Sequence, residues 1–343
     1  MKKYYVTGNT AQGLVNYLIS NVSDLKQVII LKHDSHRIKT AVLQELIDKY
    51  KESDMEILLS ALGKNFLDGI IVRDKSLAII GNHIVTSDLH GAIELDLALF
   101  IKHKHTITFE QLEKFKSHTE EAYNMFANGL KIHDDLEDIY IKEMNFTRAN
   151  ELADEVIKQI LKDKPKKNRQ SNTVIRLFGT NTVDGVVNEV PHIIENIKNV
   201  YYIKGRAGTG KSTLMKKVAL ACEKYGYDVE RYHCSFDPKS LDMVLVRGLN
   251  FCIFDSTDPH EYFPTREGEK TVDIYQEAVT PGTDEKFAKE IDEVNHRYKS
   301  FMKKGIVELK KAGEYLELIE AEFSFTEKEI LNISKFIKEQ MIQ

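Results

Sequence analysis

The sequence has no tryptophan and only 3 cysteines and 6 prolines among its 343 residues. Cys222, Cys234 and Cys252 are too few for a disulfide framework and have no C-x-x-C spacing, so they indicate a reducing compartment. No apolar run approaches the roughly 18 residues of a membrane-spanning helix. The first residues, MKKYYVTGNT, also lack the apolar stretch of a signal peptide. We therefore expect a cytoplasmic protein that does not span a membrane.

Neither sign of charge predominates, because 48 Lys and Arg residues face 53 Asp and Glu residues, for a net charge of −5. This balance gives no overall attraction to nucleic acid, so a nucleic-acid partner is not expected. Apolar residues make up 42% and charged residues 29%, a composition typical of soluble globular proteins. The length suits two domains.

Internal similarity indicates that the chain is a duplication. Three pairs of segments match in the same order along the chain: NTAQG (9–13) with NTVDG (181–185), LKQVIILK (25–32) with IKNVYYIK (197–204), and LDGIIVR (67–73) with LDMVLVR (241–247). Between the two halves lies KDKPKKNRQSNT (162–173), a polar and basic segment with a proline. We interpret it as a linker, the alternative being a surface loop within one domain. The predicted domains are residues 1–165 and 174–343.

Each half has the same predicted order of elements: a turn, a short helix, a strand, a helix and two apolar strands. Alternation of strands and helices predicts a parallel sheet with helices on both faces. Each half then ends in a long helical pattern. These helical extensions could pack on their own domain or bind a protein partner as a coiled coil. Gly305 and Gly313 interrupt the pattern, which favours packing within the domain.

A glycine-rich stretch in the second half satisfies the pattern G-x-x-x-x-G-K-[ST] between a predicted strand and a predicted helix. Main-chain amides can wrap a triphosphate only where no Cβ blocks the approach, and this accounts for the three glycines. Lys211 is expected to reach the β- and γ-phosphates, and Ser212 to offer its hydroxyl to Mg²⁺. The residues predicted to bind the nucleotide are Gly205, Arg206, Ala207, Gly208, Thr209, Gly210, Lys211, Ser212 and Thr213.

A second motif supports the first. LNFCIFDST (249–257) reads as an apolar strand that ends in Asp255, the pattern of a Walker B strand. Asp255 is predicted to hold Mg²⁺, chiefly through water. The expected fold class is therefore α/β, with two tandem P-loop NTPase-like three-layer domains, parallel sheets and a helical C-terminal extension on each. The expected cofactors are ATP and Mg²⁺.

The reaction is less well defined by the sequence. Ser256 follows Asp255 where many hydrolytic motors have Glu, and the motifs L-S-G-G-Q and N-K-x-D are absent. What remains suits a kinase that acts on a small molecule or nucleotide, or a slow ATPase. Asp237, Asp258 and His260 could each orient a nucleophile, and each could equally cap a turn or helix. With Lys211 and Asp255, they are the predicted catalytic residues.

Five arginines are further candidates for phosphate neutralisation. Arg206, Arg247 and Arg266 lie in the second half, the last within TREGE (265–269), which we interpret as a mobile lid. Arg37 and Arg73 lie in the first half, and either could reach across as an arginine finger.

The first half has a degenerate copy of the phosphate site in LKHDSHRIKTAVLQE (31–45). It keeps Lys39 where the second half has Lys211, but Ile38 replaces Gly210, and Gly81 replaces Asp255. A β-branched residue puts bulk where a phosphate would lie and disfavours positive φ. We therefore expect the first half to bind no Mg-nucleotide and to cover an apolar face of the second half or to supply an arginine finger.

Several histidines in the first half could form a separate site. By default they belong to a polar surface loop, and the alternative is an anion or metal site. The residues concerned are His33, Asp34, His36, Arg37 and His83. The same two alternatives apply to His103 and His105.

The chain resembles a family of bacterial proteins built from two P-loop halves, usually labelled ATPase or nucleotide kinase. The resemblance lies in YIKGRAGTGKSTLMKK, YDVERYHCSFDPKSLDMV, IFDSTDPHEYFP and PGTDEKF. It implies ATP binding at Gly205–Thr213 and Asp255. Many members of the family carry an intact P-loop in the first half as well, and KHDSHRIKT departs from that pattern.

The expected function is ATP hydrolysis, or phosphoryl transfer to a small molecule or nucleotide, with the active site in the second half only. The alternative is a nucleotide-sensing regulator with negligible turnover, which signals to a protein partner through its helical extensions.

Overall fold

The computed structural model of the protein describes residues 1–102 and 109–341, so His103 and His105 lie outside the described residues. The first half contains these elements: β1 (Lys2–Tyr5), β2 (Thr7–Thr10), β3 (Gly13–Asn16), α1 (Leu18–Val22), β4 (Gln27–Lys32), α2 (His36–Lys49), β5 (Met55–Leu59), β6 (Leu67–Val72), β7 (Leu77–Gly81), β8 (Ile93–Asp96), α3 (Phe109–Ile141) and α4 (Phe146–Leu161).

The second half repeats this order and adds two short helices, α7 and α8. Its elements are β9 (Thr173–Arg176), β10 (Gly179–Thr182), β11 (Gly185–Asn188), α5 (Val190–Ile194), β12 (Asn199–Lys204), α6 (Lys211–Lys224), β13 (Val229–His233), β14 (Leu241–Val246), β15 (Phe251–Asp255), β16 (Lys270–Asp273), α7 (Ile274–Ala278), α8 (Thr283–Lys286), α9 (Ala288–Ala321) and α10 (Glu327–Phe336). A π-helical turn, Ile337–Met341, follows α10.

The two six-stranded sheets have the same strand order. It is β1-β5-β6-β7-β4-β8 in the first half and β9-β13-β14-β15-β12-β16 in the second. This is the arrangement that two copies of one fold would give, and the α/β class expected from the sequence is confirmed.

The sheets are mixed rather than parallel, which corrects the sequence prediction. β6 runs antiparallel to both β5 and β7, and β14 runs antiparallel to both β13 and β15. Only short loops join these strands, and a parallel pair needs a crossover long enough for a helix. The other neighbours in each sheet are parallel.

A third sheet joins the halves, with the order β11-β10-β2-β3. Its central pair is Asn9 and Asn181, whose side-chain amides donate to each other's main-chain carbonyls at 2.8 and 3.0 Å. Tyr5 and Leu177 exchange main-chain hydrogen bonds at 3.0 and 2.9 Å. Both pairs are equivalent under the 172-residue offset, so the contact has a local pseudo-twofold symmetry.

One apolar core is shared by the two halves. It is formed by one face of each six-stranded sheet with the short helices α1 and α5, and its members include Tyr4, Val6, Leu18, Ile30, Ile80, Phe178, Val190, Tyr202 and Phe254. The first half therefore covers an apolar face of the second, which is one of the two roles considered from the sequence.

The terminal helices are exchanged between the halves. Leu152, Ala153 and Val156 of α4 belong to the core on the outer face of the second sheet, beside α6. Ile330 and Ile333 of α10 belong to the corresponding core of the first sheet, beside α2. Packing thus crosses the boundary between residues 1–165 and 174–343, and the division into two domains with these bounds stays a prediction.

The long helices α3 and α9 pack along each other as well as on their own halves. Phe126 of α3 contacts Gly305 of α9, and a Cβ at Gly129 would lie 3.4 Å from the sulfur of Met302. These glycines allow a close approach, and α9 continues unbroken through Gly305 and Gly313. The prediction that the long helices pack within their own domain is therefore correct only in part: Tyr123 of α3 donates to Asn9 Oδ1 of its own half at 2.8 Å, but much of each apolar face is buried by the counterpart helix.

A charged network is buried where the halves meet. Arg176 pairs with Glu56 at 3.0 Å and with Glu230 at 2.8 Å, and its guanidinium lies 3.8 Å from the centre of the Tyr4 ring. Burial opposes ionisation of Glu56, but the charges of Arg176 and Arg73 outweigh it and hold the pKa of this carboxyl well below its usual range. Arg176 thus bridges a carboxylate from each half, and Arg73 and Arg247 add a second cation to Glu56 and Glu230.

Replacing Arg176 with alanine should lower the free energy of unfolding by about 3–5 kcal/mol, because two largely buried carboxylates would lose their shared partner. Chemical denaturation followed by circular dichroism measures this loss. The control is Arg169→Ala, whose partner Asp228 is on the surface and which should change stability far less. Equal effects of the two substitutions would contradict the assignment.

Candidate functional site

The loop of residues 205–210 connects β12 to α6 and has the backbone that its glycines require. Gly208 and Gly210 have φ values of 70° and 83°, in the left-handed region that favours glycine. A Cβ at Gly208 would lie 2.6 Å from the carbonyl oxygen of Glu137 in α3. Gly210 caps the N-terminus of α6, where main-chain amides and the helix dipole favour an anion.

The strand that carries Asp255 lies directly beside the strand that leads into this loop. Asp255 is paired in register with Ile203 of β12, at the carboxyl edge of the sheet. Its carboxylate lies 3.6 Å from Lys211 Nζ and accepts a hydrogen bond from Thr257 Oγ1 at 2.7 Å. The ammonium of Lys211 also donates to the carbonyl oxygen of Arg206 at 2.8 Å. The two residues that the motifs single out therefore meet at one point.

Ser212 and Thr213 lie in the first turn of α6, on different faces of the helix. Ser212 Oγ accepts a hydrogen bond from the amide of Leu241 at 2.9 Å, which turns this hydroxyl toward β14. Lys216, one turn later on the same face, donates to the carbonyl oxygen of Lys239. Thr213 is exposed on the neighbouring face.

Sequence reasoning missed Asp242, a second carboxylate near Asp255. It lies on β14, and burial followed by the negative charge of Asp255 raises its pKa to about 7. A signal was available, since Asp242 falls within the repeated segment LDMVLVR and aligns with the buried Asp68 of the first half.

Residues of α3, in the first half, also line the site and were missed. The ring of His133 contacts Phe236 and Tyr298 with centroid distances of 5.9 and 5.3 Å. Burial, then the charge of Lys211, lowers the pKa of His133. Burial raises the pKa of Glu137, whose main chain lies against Gly208 of the loop. No local pattern marks these residues, because they reach the loop only through the packing of the halves.

These elements enclose a cavity of about 900 Å³, at the upper end of the usual range for small-molecule sites. Besides every residue of Gly205–Thr213, its lining includes His133, Glu137, Met144, Phe146, Asn150, Asp237, Asp242, Asp255, Asp258, His260 and Tyr298. All the predicted site residues therefore line one cavity. Their individual contacts, however, do not all indicate a catalytic or binding role.

The three additional candidate catalytic residues each have a local structural role. Asp237 Oδ1 accepts from the amide of Lys239 at 3.1 Å and so caps its own turn. Asp258 is exposed and pairs with Lys299 at 3.1 Å. The ring of His260 packs edge-on against Phe178 at 5.0 Å, and burial lowers its pKa.

Of the five arginines, Arg206 alone lines the described cavity, and it pairs with Asp284 at 2.8 Å. Arg266 donates to the main-chain carbonyls of Ile194 and Glu195, so its segment is anchored in this structure rather than positioned as an open lid. The others pair elsewhere: Arg247 with Glu230, Arg73 with Glu56, and Arg37 with Glu317. The structure thus gives no support to an arginine finger from Arg37 or Arg73.

In the degenerate loop, a carboxylate of the chain itself lies at the helix N-terminus. Glu320, at the end of α9, is fully buried and accepts from Ser35 Oγ at 2.5 Å and from the amides of His36 and Arg37 at 2.7 and 3.1 Å. The retained Lys39 is buried, which lowers its pKa to about 8, and donates to Asn82 Oδ1 at 2.8 Å. The groups that would meet a phosphate are therefore already satisfied internally.

The first-half histidines pack into this same region. His36 and His83 lie edge-on with their ring centroids 4.5 Å apart, and His83 Nε2 is 3.0 Å from Asp68 Oδ1. His33 packs against the ring of Phe323. Within residues 1–102 and 109–341, no group of three or more His, Cys, Asp or Glu side chains is arranged to hold a metal ion. The hypothesis of a separate metal site in the first half is thus unsupported.

Comparisons with known proteins give no relative for this chain: no family model, no curated protein and no solved structure matches it. Across the described parts of the chain, none of the helices combines the length and apolarity needed to cross a membrane.

Glu320→Ala should destabilise the protein by about 3 kcal/mol, because two partly buried amides and a buried hydroxyl would lose a charged acceptor. Glu317→Ala, one turn earlier on α9, is the matched control, since it removes only an exposed pair with Arg37. Urea denaturation of both variants gives the comparison. Loss of equal stability in the two, or of none, would refute the role given to Glu320.

Proposed function

We propose that the protein binds a nucleoside triphosphate with Mg²⁺ in the cavity of the second half, and hydrolyses it or transfers its terminal phosphoryl group. The observation that carries this proposal is the meeting of Lys211 and Asp255, 3.6 Å apart, at a glycine loop that lines a cavity. An ammonium, a carboxylate and a helix N-terminus at one point are the groups that a metal-bound polyphosphate needs.

In this proposal the loop amides and Lys211 bind the β- and γ-phosphates. The donors for Mg²⁺ are the hydroxyl of Ser212 and the carboxylate of Asp255, two hard oxygen ligands that suit this ion. Two protein donors suffice, because Mg²⁺ usually retains water and takes phosphate oxygens for its other positions. The raised pKa of Asp242 supports the fit, since carboxylates crowded at this edge favour a bound cation.

The bound Mg²⁺ would neutralise charge that develops on the phosphate oxygens. The attacking oxygen, from water or an acceptor hydroxyl, forms a bond to the γ-phosphorus while the bond from that phosphorus to the β–γ bridging oxygen breaks. Asp242 and Glu137 are the best candidates to take the proton of the nucleophile, because both line the cavity and both have raised pKa values. Asp237 is a third candidate for this role. Asp258 and His260 are weaker candidates, because Asp258 pairs with Lys299 and the ring of His260 packs against Phe178.

ATP is the proposed nucleotide, and a small molecule or nucleotide is the proposed acceptor if phosphoryl transfer occurs. We also propose that the protein acts in the cytoplasm, in keeping with its free cysteines.

A second candidate is a nucleotide sensor with negligible turnover. The close approach of α3 to the loop favours it, because the main chain of Glu137 lies against Gly208 and a phosphate bound at the loop would bias the position of α3. The helix α3 packs along α9, which ends at the degenerate loop in Glu320. Nucleotide binding could therefore be communicated from one half to the other.

Lys211→Ala should weaken ATP binding by about a hundredfold, because a charge-assisted contact to the phosphates would be lost. Equilibrium dialysis with labelled ATP and Mg²⁺ should show one site per wild-type chain. Lys224→Ala, at the far end of the same helix, is the charge-matched control and should bind normally. Two sites per chain, or wild-type affinity in Lys211→Ala, would refute the proposed site.

The same preparations distinguish the reactions. Phosphate release without an acceptor indicates an ATPase, and ADP formation that depends on one nucleoside or nucleotide of a panel indicates a kinase. Tight binding with neither product indicates the sensor.

A further inference from the structure

The cavity continues beyond the phosphate loop along a wall that belongs to the first half. Met144, Phe146, Ala149 and Asn150 of the α3–α4 connection and the start of α4 line it, opposite Lys217 of α6. This helix is fixed in place, because its later turns lie in the core of the second sheet and the amide of Asn145 donates to the carbonyl of Ala278 at 2.7 Å.

The side chains on two faces of α6 indicate the direction in which a bound nucleotide would extend from the phosphate loop. Ser212 and Lys216, four residues apart, face β14 and the metal side through their bonds to Leu241 and Lys239. Thr213 and Lys217 share the neighbouring face, and Lys217 Nζ donates to Asn150 Oδ1 of α4 at 2.6 Å. If the β- and γ-phosphates lie at Lys211 and Asp255, the rest of the nucleotide extends past Thr213 toward α4.

The wall that it would meet suits a nucleoside. Phe146 is 59% exposed although it lines the cavity, so an aromatic face is open for stacking. Met144 lies against the loop, with its methyl carbon 3.9 Å from where a Cβ of Gly210 would be. Asn150 adds an amide. An apolar surface with few polar groups is typical of small-molecule sites.

We infer that the nucleoside moiety of the nucleotide binds between α4 and α6, with Phe146 stacking on the base. The second half then holds the phosphates, and the first half holds the base through its exchanged helix. This inference rests on the proposed function, which concerns the phosphate end alone.

Tripolyphosphate separates the two ends of the ligand, since it carries the phosphate chain without a nucleoside. Phe146→Ala should weaken ATP binding about tenfold, the effect of losing one stacked aromatic ring. Its affinity for Mg-tripolyphosphate should remain within about twofold of the wild type. Isothermal titration of the full chain measures both. Leu331→Ala, an exposed apolar residue on the corresponding helix α10, is the matched control and should leave both affinities unchanged.

A direct readout uses the absence of tryptophan from the sequence. In Phe146→Trp the new indole is the sole tryptophan, and saturating ATP should change its fluorescence while tripolyphosphate should not. Leu331→Trp should respond to neither.

Unchanged ATP affinity in Phe146→Ala, or an equal loss for ATP and tripolyphosphate, would overturn the inference while leaving the phosphate site in place. A wild-type chain that binds neither ATP nor tripolyphosphate would overturn the proposed function and this inference with it.

Discussion

The constraint on which the structure depends is that neither six-stranded sheet can cover both of its faces with its own helices. On the inner face each sheet has only a five-residue helix, α1 or α5, and the remaining apolar surface is buried against the other half. At the edge of this shared core, charge is balanced in the same reciprocal way, with Arg176 between Glu56 and Glu230. The duplicated halves thus bury their inner faces against each other. The exchange of α4 and α10 follows the same principle on the outer faces.

The two helix N-termini of the repeated loop illustrate two solutions to one electrostatic problem. Main-chain amides at the start of a helix need acceptors, and an anion is the best one. At α2 the acceptor is built in, since Glu320 reaches three donors from α9. At α6 the glycine loop lines a cavity, and the main chain of Glu137 lies against Gly208. The two loops therefore differ in whether the chain itself supplies the acceptor at the helix N-terminus.

Local sequence patterns were sufficient to predict part of the fold and of the candidate site. The strand–loop–helix unit at Gly205–Thr213 and the strand that ends in Asp255 follow from spacing and periodicity, since each depends on adjacent residues. The antiparallel direction of β6 and β14 could have been deduced as well, because the sequence leaves no room for a helix beside them.

Other features could not be read from the chain alone. Glu137, Glu320 and Phe146 look like ordinary helix residues, and their positions depend on which half each long helix packs against. The sequence indicated helical extensions but contained no signal that α3 would pair with α9. Asp242 could be predicted in part. The internal repeat marked its position, but only the fold shows that it lies near Asp255.

The helix exchange has a consequence for synthesis on the ribosome. The strands of the first sheet are all made by residue 96, but α10, which covers its outer face beside α2, begins only at residue 327. The nascent first half must therefore expose part of that face to solvent and chaperones while the whole second sheet is translated. The second sheet has no such delay, because α4 leaves the exit tunnel before any of its strands. Because translation proceeds from the N-terminus, the two similar halves are completed in different orders. The covering helix of the first sheet is made long after its strands, and that of the second sheet is made before them.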